Sequence, residues 1–156
     1  MASEPYRRTT SPISDGLMTP TIRLNGLHVL LVDDDAEQLA MISELLSDAG
    51  ADVHATRTAH DAVRALAKHR FDVIVSDINM PDCDGYHLLR MVRARPVAQG
   101  GGTPAIALTG NGTDGDRTRA HLAGYQVHLV KPIRLIELIV AIRDVVARTG
   151  STPGVA

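Results

Sequence analysis

The feature that most constrains this 156-residue chain is a regular alternation of short apolar runs with amphipathic stretches. The runs are HVLLV (28–32), DVHAT (52–56), DVIVS (72–76), PAIAL (104–108) and VHLV (127–130). Each is too short for a stable helix, and HVLLV is a continuous apolar run consistent with a strand covered on both faces. Between them the period changes. Residues 36–50 place Leu39, Ile42, Leu46 and Ala49 at helical spacing, with Gly50 as a stop. Asp35 followed three residues later by Gln38 makes a capping-box-like start. A second helix opens at Thr58–Asp61, with Ala62, Val63 and Leu66 on one face. A third covers 86–95 and closes at Pro96, a fourth lies around 114–123 before Gly124, and a last amphipathic helix covers 135–148. Five βα units predict an α/β fold, a doubly wound five-stranded parallel sheet with right-handed crossovers and strand order 2-1-3-4-5, flavodoxin-like (βα)5.

Composition narrows the setting. Hydrophobic residues make up 44%, yet there is no Trp and a single Phe, so the core must be aliphatic. Net charge is −2 and Lys and Arg are scattered along the chain, which argues against direct nucleic-acid binding. The lone Cys83 excludes an internal disulfide and a multi-cysteine zinc site, and the seven histidines show no ligand spacing. No apolar run approaches the ~18 residues of a membrane span, and the basic N-terminus lacks a signal-peptide apolar region. A cytoplasmic setting is expected. Residues 1–23, rich in Ser, Thr and Pro, read as a disordered tail, 24–149 as one folded domain, and 150–156 as a second loose end. With about a turn's worth of chain past the last helix, no output domain is expected to follow.

In open parallel sheets, chemistry gathers beyond the carboxyl ends of the strands. There the chain places Asp33, Asp34 and Asp35 after strand one, Asp77 after strand three, Thr109 after strand four, and Lys131 then Pro132 after strand five. The second strand carries no such group, as befits an edge. With strands 3, 1 and 4 as central neighbours, three carboxylates, a hydroxyl and an ammonium converge on one rim.

The motifs LLVDDD, VSDINMPDCDG, ALTG and LVKP, in this order, resemble the receiver domain of two-component response regulators, over roughly residues 26–148. The wording GYQVHLVKP is also similar to receivers attached to hybrid histidine kinases. The resemblance implies a phosphoryl-accepting switch. Asp77 would be the phosphoacceptor, taking the group from a partner's phosphohistidine by nucleophilic attack with Mg²⁺ present. Asp33 and Asp34 suit the metal role, Asp34 as direct ligand, together with Asp77 and the backbone carbonyl of Asn79. Lys131 would pair with the nucleophile and then the phosphoryl group. Thr109 would hydrogen-bond a phosphoryl oxygen, with Gly110 leaving the site open. Thr109 and His128 take the switch positions, His128 standing where relatives often carry an aromatic that changes rotamer. Partners implied are a histidine kinase or histidine phosphotransfer protein, with a second receiver or a downstream protein target as further candidates. The domain would catalyse its own phosphotransfer and slow dephosphorylation, with Asn79 and Asn111 near the attacking water. A stand-alone protein, a phosphorelay intermediate and a piece of a hybrid kinase all stay open.

Other residues read more plainly. Asp35 is expected to be an N-cap; Asp82 and Asp84 to shape a turn before Gly85 and cap the third helix; Pro81 to stiffen that loop; Cys83 to be a small apolar loop residue. Ile133, following Pro132, is taken as packing. Two rivals are a Mg²⁺-dependent phosphate hydrolase of the aspartyl-phosphate type and a receiver-like module that only binds partners. The first would want an acid two residues after the nucleophile, where Asn79 stands. The second would have lost Asp77, an acidic-pair residue or Lys131, and all are present.

Overall fold

A computed structural model describes residues 22–155 apart from Asp82 and Asn111, with side chains through residue 149. The expected N-terminal tail up to residue 21 and the readings for Asp82 and Asn111 fall outside the described residues. The elements are β1 (His28–Val32), α1 (Ala36–Asp48), β2 (Asp52–Thr56), α2 (Ala59–Lys68), β3 (Val73–Asp77), α3 (Gly85–Arg93), β4 (Ala105–Thr109), α4 (Asp114–Ala123), β5 (Val127–Val130) and α5 (Leu135–Val155). A short 3-10 helix, Val97–Gln99, lies between α3 and β4. All neighbouring strands pair in parallel, in the order β2-β1-β3-β4-β5. That is the order expected from the sequence.

Alternation along each strand divides the core in two. Leu30, Val32, Ile74, Ala105 and Ala107 face α2, α3 and α4, and Val29, Leu31, Val73, Val75, Ile106 and Leu108 face α1 and α5. The strand period of two sends successive side chains to opposite faces, so both helical layers are anchored by the same three strands.

Local chemistry explains where the helices start. The Asp35 carboxylate accepts from the N–H groups of Glu37 and Gln38, Thr58 from Asp61, Asp84 from His87, and Thr113 from Asp116. Gly85 opens α3 because a Cβ there would sit 2.7 Å from the Asp77 carbonyl oxygen; only glycine lets the helix press so closely on the end of β3.

Several boundaries differ from expectation. β3 and β4 each run one residue later, so Asp77 and Thr109 close their strands instead of following them. Ile22 and Arg23, assigned from sequence to the tail, join the domain: Ile22 packs on the α1/α5 core, and the Arg23 carbonyl accepts from Arg143 at 2.8 Å. The last helix continues to Val155, past Arg148 where its apolar pattern stops and into the stretch expected as a loose end.

Arg93 ties the far end of α3 to its neighbours. Its guanidinium donates to the carbonyls of Gly101 (3.0 Å), Thr103 (2.6 Å) and Gly124 (2.6 Å). The buried Tyr125 hydroxyl donates to the Gly85 carbonyl at 2.8 Å, fastening the start of β5 to the start of α3.

Candidate functional site

The rim beyond β1, β3 and β5 gathers the predicted acids. Asp33, Asp34 and Asp77 each offer a carboxylate oxygen within 4.8 Å of the others. Asp33 follows β1 and is 1% exposed, and Asp77 ends β3 at 4%. Parallel pairing of β1 with β3, Val32 opposite Ser76, places the next residues on each strand, Asp33 and Asp77, at one level. Arg57 donates twice to the Asp34 carbonyl (2.9 and 3.3 Å), fixing the backbone of the more open acid.

Each carboxylate is held differently. Asp33 Oδ1 accepts from the Asp35 N–H at 2.9 Å, whereas Asp33 Oδ2 is buried with no hydrogen-bond partner. Burial, and next the Asp77 charge among the factors that raise it, push the Asp33 carboxyl up to about 6. Asp77 Oδ1 accepts from the Asn79 N–H at 3.3 Å and pairs with Lys131 Nζ at 3.3 Å. Clustered carboxylates with an orphaned buried oxygen are an unstable arrangement by themselves, because a desolvated charge without a partner is costly. An all-oxygen donor set open on one side suits a hard divalent cation that keeps several waters. The residues present fit such an ion.

Lys131 follows β5, its backbone N–H donating to the Thr109 carbonyl at 2.7 Å, and the Lys131–Pro132 peptide is cis. Its ammonium has a second partner that the sequence reading missed: Gln38 Oε1 accepts at 2.9 Å, closer than Asp77. The spacing of Gln38 from Asp35 predicts half of a capping box. Asp35 does cap α1, but the Gln38 amide turns to the rim, where a charge-assisted bond to a lysine is the stronger option. The signal present in the sequence was its place in the first turn of α1, one helical step beyond the acids.

Of the other predicted residues, Thr109 is buried at the end of β4, between Asp77 on β3 and Lys131 after β5. Asn79 is exposed two residues past Asp77. His128, on β5, lies opposite Ala107 of β4, two positions back from the rim register of Thr109 with Val130. Both of its ring nitrogens are buried and unpartnered. Burial, then the Arg117 charge, lower its pKa; Asp116 opposes them. Cys83 packs partly buried against the α2/α3 core.

A family model of the response regulator receiver domain matches residues 29–143, and the chain belongs to this family. Among its relatives is a 14.6 kDa protein of Leptolyngbya boryana, 36% identical over 74% of this chain and 87% of its own length. Another is the hybrid signal transduction histidine kinase D of Dictyostelium discoideum, 32% identical over 83% of this chain. The chain spans only 9% of that kinase. Among solved structures, the receiver domain of the sensor histidine kinase PA1611 from Pseudomonas aeruginosa superposes with a TM-score of 0.71 at 33% identity, covering 78% of this chain and 98% of that one. That domain carries a magnesium ion coordinated in its active site cleft. Among the described residues no helix is long and apolar enough to cross a membrane.

Proposed function

We propose that the chain is a phosphoryl-accepting receiver of a two-component or phosphorelay system, modified on Asp77. The observation that carries this reading is the convergence of three carboxylates within 4.8 Å on a rim where Lys131 stands 3.3 Å from Asp77. An Asp77 oxygen forms the new O–P bond as the N–P bond of a donor phosphohistidine breaks, the imidazole nitrogen keeping the electron pair. Asp33, Asp34, Asp77 and the Asn79 carbonyl would hold Mg²⁺, which when bound supplies the neutralisation that anion-on-anion attack requires. Lys131 moves its ammonium from the carboxylate to the phosphoryl oxygens, with Gln38 keeping its second hydrogen bond satisfied throughout. Thr109 then donates to a phosphoryl oxygen, and His128 responds through the strand they share a ladder with. The partner is a histidine kinase or histidine phosphotransfer protein, the setting cytoplasmic, and the switch reverts by its own slow hydrolysis, tuned by Asn79 and Asn111.

The test is direct. Incubation with Mg²⁺ and acetyl phosphate is expected to add about 80 Da in a base-labile, acid-stable adduct, as an acyl phosphate requires. Chelation of the metal should abolish labelling. Equal labelling of the Asp77→Asn variant would remove the site assignment.

A further inference from the structure

At the opposite pole of the sheet, below the amino ends of β3 and β4, lies a cleft of about 480 Å³ that the phosphoacceptor reading does not use. Lys68, His69, Arg70, Phe71 and Arg95 line it together with the 3-10 helix, and no carboxylate does. Basic residues that are scattered in the chain are thus gathered by the fold: the KHR run leaving α2 meets Arg95 leaving α3. None of the four takes part in an ion pair among the described residues. Arg95 Nε donates to the Gln99 carbonyl at 2.9 Å, which steadies a guanidinium whose terminal nitrogens donate to no described residue.

Basic side chains are common at helix C-termini, where they offset the macrodipole. Here the arithmetic leaves a surplus. Two helix ends contribute roughly −0.5 charge each, against three permanent cations and one histidine. A cleft lined by one sign of charge focuses its field. Repulsion from the acid rim is weak, because a five-residue strand spans roughly 16 Å, about two Debye lengths at physiological salt. We propose that this cleft binds a multiply charged phosphate chain. A single phosphate would gain little from exposed cations taken one at a time, whereas a chain engages Lys68, Arg70 and Arg95 together, the arginines through bidentate forks. The cleft also has a ring-bearing wall, His69 and Phe71 lying 6.3 Å apart edge to face, so a nucleoside polyphosphate can set its base against Phe71.

The test uses amide chemical shifts of the full chain in EDTA, titrated separately with inorganic tripolyphosphate, ATP and inorganic phosphate. Saturable shifts are expected at residues 68–71 and 95–100 with tripolyphosphate and ATP, weakening about ten-fold when salt rises from low to physiological strength. Tighter binding of ATP than of tripolyphosphate would identify a nucleotide as the ligand; equal binding would identify the phosphate chain alone. The Arg70→Gln/Arg95→Gln variant should lose about a hundred-fold in affinity and Lys68→Gln about ten-fold, each with an unchanged Tm, since each removed charge-assisted contact costs on the order of a factor of ten. Binding unaffected by these variants, shifts confined to the acid rim, or no saturation at millimolar ligand would each overturn the proposal. Acetyl phosphate labelling of Asp77 is independent of all three outcomes.

Discussion

β3 and β4 are buried along their full length, whereas β5 is only half covered and exposes its last residue. The helices beside them differ in the same way. α3 buries Tyr86, Leu88, Leu89 and Val92, while α4 buries only two alanines, Ala120 and Ala123, and leaves Leu122 79% exposed. The two regions also differ in their unsatisfied atoms: Asp33 Oδ2 on the well-packed side, the His128 ring nitrogens on the other. The first is held in place by close packing and can be relieved by a cation. The second sits where packing is sparse, and side-chain movement can relieve it. An unpartnered atom fixed by dense packing waits for a partner to come to it, whereas one in a sparsely packed region has the least to lose by moving.

Truncation in the two regions is the harshest challenge to this contrast. Ile106→Ala, in the centre of β4, should cost about 2–5 kcal/mol in denaturant unfolding, while Leu122→Ala on α4 should stay within about 0.5 kcal/mol. Comparable losses would erase the distinction. Next, Lys131→Ala should slow acetyl phosphate labelling about a hundred-fold, the usual scale for losing one preorganised charge at a reacting centre.

The acid rim should also show a stability cost of its own. Folding raises the Asp33 pKa from 3.8 to about 6, so between those pH values the native state binds more protons than the unfolded chain. Stability of the metal-free protein should therefore fall as pH rises through that window, by on the order of 2–3 kcal/mol. Asp33→Asn should flatten the profile, and Mg²⁺ should restore the wild type alone at pH 7. A smaller effect is expected at Gln38. Gln38→Leu should slow labelling a few-fold by freeing the Lys131 ammonium, and Gln38→Glu should not rescue it, because a competing carboxylate draws the lysine from Asp77. The smallest effect belongs to His128. Its pKa is lowered on folding, so the unfolded chain takes up the proton first and stability should dip as pH falls below about 6.5. His128→Gln should remove the dip, with Arg117, Asp116 and His121 remaining as the charged and titratable groups around it.

Much of this was legible in the chain. Strand runs buried on both faces are continuous and apolar, and residues at their carboxyl ends share a rim once the order is known, so Asp33, Asp34, Asp77, Thr109 and Lys131 could be named without coordinates. Features decided by distant partners were not. Gln38 and Lys131 are 93 residues apart, and a three-residue spacing from Asp35 offered a nearer explanation for the amide. Likewise the KHR run gains meaning only beside Arg95, and the His128 nitrogens read as orphaned only when the packing around β5 is seen. Local bonds leave local patterns, whereas a hydrogen bond across the sheet leaves none.

The bonds of Arg93 and Tyr125 have a consequence for α4. Its trailing end is latched by the Gly124 carbonyl to Arg93, and the next residue is bolted to Gly85, while its leading end at Thr113 and Asp114 lies exposed. A rod pinned at one end pivots about the pin. Any travel of this helix is thus an arc, widest beside the Thr109 loop and near zero at Gly124, and a lysine in place of Arg93, lacking the planar fork, would loosen the axle without touching the rim.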